Sequence, residues 1–283
     1  MLPDNPRRSS DPVPVLMYHD IADGRTSQAF RRFVVPPALF AEHLLALHEA
    51  GYGTGHVSDL GAGPVARKVA FLTFDDGFGT IVEHALPALA VRAMTATLFL
   101  PTAFVGGRAS WLSKEREDAR SLLSWPDVRD AAAAGFEIGS HGHRHLEFDI
   151  LDDRGLDQEL TVSKRILEDE TAAVVQSLAY PFGYHDSRVR SAAAGAGYRT
   201  ACEVGYGLYE RGDDPLRIRR LLIGPDMSAE RVLELMADGG PTVGQRLRRH
   251  TRPIWRLARR ARATARGAEP KKGQDSRSWT QTK

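Results

Sequence analysis

The chain has a single cysteine, Cys202, among its 283 residues, which excludes an intrachain disulfide framework. Such sparing use of cysteine is typical of proteins from a reducing compartment. A lone cysteine can also be a catalytic nucleophile. No sequence feature marks this thiol as activated, so we expect it to pack in the core.

Long apolar runs are also missing. No stretch approaches the ~18–20 consecutive apolar residues that a membrane-spanning helix needs. The first 14 residues contain four prolines and two aspartates, and no apolar segment follows their Arg7-Arg8 pair. They therefore do not resemble a secretory signal, and we expect a cytoplasmic protein.

The net charge of +2 is low because two unlike parts offset each other. Residues 241–283 carry ten arginines and three lysines against two acidic side chains, a net charge of +11, and the remaining residues carry −9. An acidic body argues against nucleic acid binding by that body.

The basic tail predicts contact with a membrane surface. Residues 243–266 hold nine arginines together with Leu247, Ile254, Trp255 and Leu257. Such a partly amphipathic segment could lie on the anionic inner membrane surface, and a solvated, disordered extension is the equal alternative. Deletion from Pro241 onward is expected to abolish liposome binding and to spare hydrolysis of a small substrate, whereas loss of both would contradict this interpretation.

Strand-like and helix-like segments alternate along the chain, and 42% of the residues are hydrophobic, so one domain with a sizeable core is expected. We predict a flexible N-terminus over residues 1–12, a β/α barrel over 13–238 and a basic, partly helical to disordered tail over 239–283. The predicted strands cover residues 13–19, 69–74, 95–100, 136–140, 177–180, 198–204 and 216–223. The predicted helices cover residues 37–51, 81–90, 125–134, 151–170, 187–196 and 228–237.

Polar or special residues follow several of these strands directly. They are His19, Asp75, Asp76, His141 and the Pro-Phe-Gly turn at 181–183. Repeated strand–helix units imply parallel strands with helices outside, and such folds gather catalytic side chains at the carboxyl ends of the strands. We therefore predict an α/β fold with a closed or nearly closed barrel, and an active site at this end.

Carboxylates and imidazoles at strand ends suit a divalent metal with open coordination positions, which indicates a metal-dependent hydrolase. His141 and His145 are spaced H-x3-H and can face one side of a turn. His143 is a rival ligand, because His-x-His in a strand also faces one way, but we favour His145. Asp75 and Asp76 are adjacent and point differently in an extended segment, so one can bind metal while the other acts as base.

Two motifs resemble those of a known family. Residues 73–77 (Thr-Phe-Asp-Asp-Gly) are similar to the first motif of the NodB-homology polysaccharide deacetylases, carbohydrate esterase family four. Residues 140–145 (Ser-His-Gly-His-Arg-His) are similar to the family's H-[ST]-x-x-H motif, with Gly142 in place of Ser or Thr. Residues 179–183 (Ala-Tyr-Pro-Phe-Gly) resemble its third motif, R-x-x-P-[YF]. The resemblance covers about residues 13–235.

The resemblance implies a distorted (β/α)7 barrel of NodB-homology type. It also implies that Asp76, His141 and His145 hold one divalent metal, usually Zn²⁺. Asp75 would be the general base for a metal-activated water. The turn with Pro181 and Phe182 would supply a backbone N–H to the oxyanion, and we expect Phe182 and Tyr184 to be candidates for a sugar subsite.

The chain departs from the family pattern at two catalytic positions: the general acid, and the arginine that pairs with the general base. Leu178 stands where the third motif has arginine, and we predict that Arg220, in a late strand segment, supplies that charge. The D-x-x-W motif and the late Leu-x-His that carries the acid are absent. In family members that begin with a Met-Tyr-His strand, the N-terminal histidine takes the place of the general acid. His19 is therefore our candidate to protonate the leaving amine.

The favoured function is removal of N-acetyl groups from an amino sugar, in a polysaccharide or a lipid-linked glycan, with release of acetate. This would make the protein a hydrolase of carbon–nitrogen bonds other than peptide bonds. One alternative is hydrolysis of another such bond, in a formamide or ureide. The other is a non-catalytic carbohydrate-binding barrel, which the intact set of aspartates and histidines argues against.

Overall fold

The computed structural model describes residues 12–62, 68–205, 207–210 and 212–239. The predicted flexible N-terminus, apart from residue 12, lies outside these ranges. So does the predicted basic tail, including residues 243–266, apart from Gly239. The predicted boundaries of the barrel at 13 and 238 stay predictions.

Strands and α-helices alternate along most of the described chain. Their bounds are β1 Val15–Tyr18, β2 Asp20–Ile21, β3 Val34–Val35, α1 Pro37–Glu49, β4 Gly53–Thr54, β5 Val69–Phe74, α2 Leu86–Ala90, β6 Thr97–Leu100, α3 Trp125–Ala133, β7 Glu137–Ser140, α4 Asp153–Thr171, β8 Ser177–Ala179, α5 Ser187–Gly195, β9 Thr200–Cys202, β10 Leu221–Leu222 and α6 Ala229–Asp238.

The main sheet is parallel and has the order β10-β1-β5-β6-β7-β8-β9, with β4 added beside β5. Seven strands thus follow one another along the described sheet, and the helices pack on its outer side. This confirms the predicted α/β fold, a parallel sheet curled in the manner of a NodB-type barrel. Strand β5 has the predicted bounds, and the short β2, β3 and β4 were not predicted because two residues carry no readable period.

The last predicted strand, residues 216–223, is wrong over most of its length, because only Leu221–Leu222 is a regular strand. This segment changes partners along its course. The Ile218 N–H donates to the Ala201 carbonyl at 2.8 Å and the Arg220 N–H to the Gly205 carbonyl at 2.9 Å, after which Leu221 pairs with Leu16 of β1. The segment therefore links β9 to β1 and brings the two edges of the curled sheet together.

Local sequence signals explain where the helices begin. Ser124 caps α3 by accepting the Asp127 N–H, and Asp127 returns a bond to the Ser124 N–H, which completes a capping box. Asp152 and Ser228 cap α4 and α6 by accepting one backbone N–H each. Residues 81–90 were predicted as one helix limited by Pro87. They form a π-helical turn, Ile81–Ala85, followed by the short α2, because proline cannot donate to the helical ladder.

The core has two layers. A larger cluster fills the space between sheet and helices, and a smaller one, with Phe71, Phe99 and Ile218, fills the inside of the barrel. Cys202 belongs to the inner cluster, is fully buried, and burial raises the pKa of its thiol to about 12. A thiol with that pKa is a packing group. Among the helices in the described ranges, none is long and apolar enough to cross a membrane.

Candidate active site

Asp76, His141 and His145 lie together at the carboxyl end of the sheet. The Asp76 Oδ1 is 3.1 Å from the His145 Nε2 and 3.5 Å from the His141 Nε2. The three potential ligand atoms lie within 4.8 Å of one another, and all three side chains are buried. One carboxylate oxygen and two imidazole nitrogens at this spacing fit a single divalent cation such as zinc, with positions left for other ligands.

Tight turns after β5 and β7 deliver these three side chains. Asp76 has a φ of 72° and His145 a φ of 54°, a left-handed conformation that costs a non-glycine residue of order 1–3 kcal/mol. Asp76 therefore leaves the extended conformation. Its side chain diverges from that of Asp75 because of this turn, whereas the prediction had assigned the divergence to an extended strand.

Neighbouring groups fix the orientation of both imidazoles. The His141 Nδ1 lies 2.8 Å from the Ala179 carbonyl, so its N–H donates there and its Nε2 faces Asp76. The His145 ring stacks on Trp111, with centroids 4.7 Å apart at 25°, and meets the edge of Phe182 at 4.7 Å. His143 faces elsewhere, since its Nδ1 lies 2.9 Å from the Thr102 hydroxyl.

The electrostatics of the group favour an ionised Asp76. Burial raises the pKa of its carboxyl, but hydrogen bonds from His141 and His145 outweigh burial and hold the pKa well below its usual range. A buried carboxylate that stays charged between two imidazoles attracts a cation, which strengthens the fit of this group to a divalent metal.

Asp75 faces Arg220. The two guanidinium nitrogens Nη1 and Nη2 donate to the two Asp75 oxygens at 2.6 and 2.7 Å. Nη1 also donates to the Thr73 hydroxyl at 3.1 Å and Nε to the Glu203 carbonyl at 3.3 Å. Burial raises the pKa of Asp75, but the charge of Arg220 is the main cause that lowers it below its ordinary value. This planar, two-pronged contact orients Asp75 and keeps it ionised.

A family model described as polysaccharide deacetylase matches residues 62–201, a range that contains both aspartates and both histidine ligands but not Arg220. Residues 62–201 therefore carry a polysaccharide deacetylase domain. Deacetylases of this family depend on a metal ion, and Asp76, His141 and His145 are the residues here that could bind one.

Similar proteins agree with this assignment. YxkH of Bacillus subtilis, whose name places it provisionally among the polysaccharide deacetylases, is 26% identical over 221 residues, covering 76% of this chain and 73% of YxkH. The structure of a polysaccharide deacetylase from Bacillus cereus is 26% identical with a TM-score of 0.70, covering 80% of this chain and 69% of its own. Streptococcus pyogenes deacetylase PplD, solved in complex with acetate, shares the fold at 22% identity and a TM-score of 0.68. The match covers 81% of this chain and 99% of PplD.

The departures from the polysaccharide deacetylase motifs have local structural reasons. Gly142 has a φ of 76°, and a Cβ there would lie 2.9 Å from the Phe148 ring, so a serine or threonine would not fit. Leu178, at the arginine position of the third motif, is fully buried in the outer core. The prediction that Arg220 lies within a strand is wrong, because it lies just before β10, and its buried side chain reaches Asp75 from there.

His19 lies at the end of β1, beside the aspartates. Burial lowers the pKa of its imidazole, and the charges of Asp75 and Asp76 oppose that effect only in part. Its ring packs 4.6 Å from Phe33, and its Nδ1 is buried without a hydrogen-bond partner among the described residues. The free protein therefore presents a neutral imidazole at this site.

The turn of the third motif, Pro181–Gly183, packs against His145 through Phe182. Pro181 is buried, whereas Phe182 is 47% exposed and stacks on Tyr184 with centroids 6.1 Å apart. Phe182 has a φ of 58°, and a Cβ on Gly183 would lie 2.5 Å from the Val204 nitrogen, so the turn is closely packed. Tyr180 is fully buried and donates to the Leu216 carbonyl, so it is a packing residue.

Two groups near the site were not predicted from the sequence. His185 and Glu203 form a buried pair, with the His185 Nε2 2.8 Å from the Glu203 Oε2, behind the third-motif turn. Glu159 on α4 contacts the loop between the two histidine ligands. Its signal in the sequence is a charge at a core-facing position, since Leu156, Leu160 and Leu167 on the same helix are buried.

Proposed function

We propose that this protein removes N-acetyl groups from an amino sugar, in a polysaccharide or a lipid-linked glycan, and releases acetate. The observation that carries the proposal is the pairing of two sets of side chains: Asp76, His141 and His145 as a cation site, and Asp75 with Arg220 beside it. The family and its named relatives support a carbohydrate deacetylase. The N-acetyl substrate and the use of zinc are our proposals.

Each polar group at the site has a defined task in this reaction. A divalent cation held by Asp76, His141 and His145 would polarise the acyl oxygen and acidify a water molecule. Asp75 accepts the proton of that water, and Arg220 holds the carboxylate ionised and in place. The backbone N–H of Phe182 donates to the oxyanion that forms when water oxygen attacks the acyl carbon. Cleavage of the C–N bond then gives acetate and a free amine.

The leaving amine needs a proton, and we propose that His19 delivers it. The pKa of His19 is lowered, so the imidazole is neutral in the free protein and must take up a proton before it can donate one. Asp75, which receives the proton of the water, is one of its charged neighbours. We expect His19→Gln to lower kcat by ~10²–10⁴-fold and to leave zinc affinity unchanged, because general acid catalysis contributes about that much. Full turnover by this variant would rule out the acid role.

Release of acetate from N-acetylglucosamine oligomers tests the proposed function directly. The purified protein is assayed as prepared, after treatment with a chelator, and after re-addition of zinc. We expect activity that the chelator abolishes and zinc restores. Asp76→Ala serves as the matched control, because it removes a ligand from the same site and should not respond to zinc. No acetate from any N-acetylated glycan, with zinc bound, would contradict the proposal.

Two alternatives give different outcomes in the same assay. Hydrolysis of a formamide or ureide by the same side chains would release formate or ammonia in place of acetate. A non-catalytic carbohydrate-binding barrel would bind the oligomers without releasing any product. The buried, ionised Asp76 and the bidentate Asp75–Arg220 pair support a reacting site over a binding barrel.

The aromatic turn and the tail complete the proposal. Phe182 and Tyr184 form a partly exposed, stacked pair beside His145, and we propose that a sugar ring packs there.

A cytoplasmic location, with the segment 243–266 on the inner membrane surface, would bring the enzyme to a lipid-linked substrate. The membrane contact is tested by liposome binding of the protein truncated at Pro241.

A further inference from the structure

The loop between the two histidine ligands is held from behind by a single carboxylate. The Glu159 Oε2 accepts the backbone N–H of His143 at 2.9 Å and that of Arg144 at 2.7 Å. Its Oε1 accepts the Nε–H of Arg144 at 2.7 Å. Glu159 is fully buried on α4, so both of its oxygens are engaged by the residues that separate His141 from His145.

A buried carboxylate is costly unless hydrogen bonds and a countercharge compensate for the lost water. Here two backbone N–H groups and one guanidinium supply that compensation. Replacement of Glu159 by an apolar residue would leave the two N–H groups without an acceptor, which destabilises this conformation of the loop. The loop would then relax toward solvent or toward another conformation.

The sharp turn of the loop makes this contact possible. Two consecutive N–H groups converge on one oxygen because the chain turns sharply at Gly142, which has a φ of 76°. A Cβ on Gly142 would lie 3.2 Å from the Glu159 Oε2, so the missing side chain lets the carboxylate approach. His145, at the far end of the loop, has a φ of 54° and faces Asp76 in this conformation.

We propose that Glu159 is a positioning residue that sets the H-x3-H loop in its metal-binding shape before a cation arrives. Glu159 is not itself a ligand, because both oxygens face the loop backbone and Arg144. The inference rests on the proposed metal site, and it assigns part of the cation affinity to a carboxylate on α4.

The test measures zinc affinity of the metal-free protein by competition with a chromophoric chelator. We expect Glu159→Ala to bind zinc ~10–100-fold more weakly, the usual cost of losing a group that orients a metal ligand. At saturating zinc, its KM for an N-acetylated oligomer should stay within twofold of the unmodified protein. Leu160→Ala is the control for lost stability, because Leu160 is buried on the same helix and should leave zinc affinity unchanged.

Two further variants separate orientation from general destabilisation. Glu159→Gln keeps an oxygen for the two backbone N–H groups, but its amide N–H₂ would face the Arg144 Nε–H, donor against donor. We expect weakened zinc binding in Glu159→Gln and recovery in the double variant Arg144→Met/Glu159→Gln, which removes the opposing donor. Unchanged zinc affinity in a folded Glu159→Ala protein would overturn the proposal, and so would equal losses in Glu159→Ala and Leu160→Ala.

The proposed function fails by a different outcome. If Asp76→Ala keeps the zinc affinity of the unmodified protein, then the Asp-His-His group is not the zinc site and the function proposed above is wrong at its base. If Asp76→Ala loses zinc while Glu159→Ala keeps it, the site stands and the role of Glu159 is wrong.

Discussion

Asp75→Asn is expected to abolish most acetate release while the protein keeps its fold and its zinc. An amide cannot accept the proton of the attacking water, and loss of a general base costs ~10²–10⁴-fold in turnover. The side chain has nearly the same size, so the fold is kept, although the buried Arg220 loses its countercharge and the free energy of unfolding falls. The measurement is kcat/KM for an N-acetylated oligomer, with zinc content determined on the same sample.

The adjacent aspartate provides the control for this experiment. Asp76→Asn changes the same functional group one residue away, but it weakens a ligand of the cation. We expect it to lose zinc together with activity, whereas Asp75→Asn loses activity with zinc bound. If Asp75→Asn retained turnover within tenfold, Asp75 would not be the base, and the division of labour between the two aspartates would have to be reversed.

The local part of this site was predictable from the sequence, because it depends on motifs within short segments. Strand β5 begins and ends at the predicted residues, and Asp76, His141 and His145 converge because parallel strands end at one edge of the sheet. The preference for His145 over His143 agrees with the geometry, since His143 contacts Thr102.

The rest depends on contacts between distant segments, which no local pattern encodes. The sequence points to Arg220 as the partner of Asp75 only because Leu178 occupies the arginine position of the third motif. The strand predicted around Arg220, residues 216–223, is too long. Its reach depends on a segment that changes partners between β9 and β1. Glu159 was missed because its partners are backbone N–H groups, and backbone conformation at Gly142 is set by packing against Phe148.

Removal of Arg220 should have the largest effect on stability. Arg220→Met leaves the buried Asp75 carboxylate without its countercharge, and breaking a buried ion pair from one side costs about 3–5 kcal/mol in the free energy of unfolding. Arg220→Lys keeps a positive charge but not the two-pronged contact, so we expect a smaller loss. Urea unfolding at pH 7 measures both, and Arg31→Met, which removes the exposed partner of Asp226, should change stability little.

The same variant predicts a shift in the pH dependence of turnover. In the intact protein the pKa of Asp75 is lowered, chiefly because Arg220 opposes the effect of burial. Without Arg220, burial raises that pKa, so the carboxylate is protonated at a higher pH and the acid limb of kcat/KM moves upward. In the double variant Asp75→Asn/Arg220→Met neither charge remains, and the stability should recover beyond the sum of the two single changes. Simple additivity, together with an unmoved acid limb, would show that Arg220 does not act through Asp75.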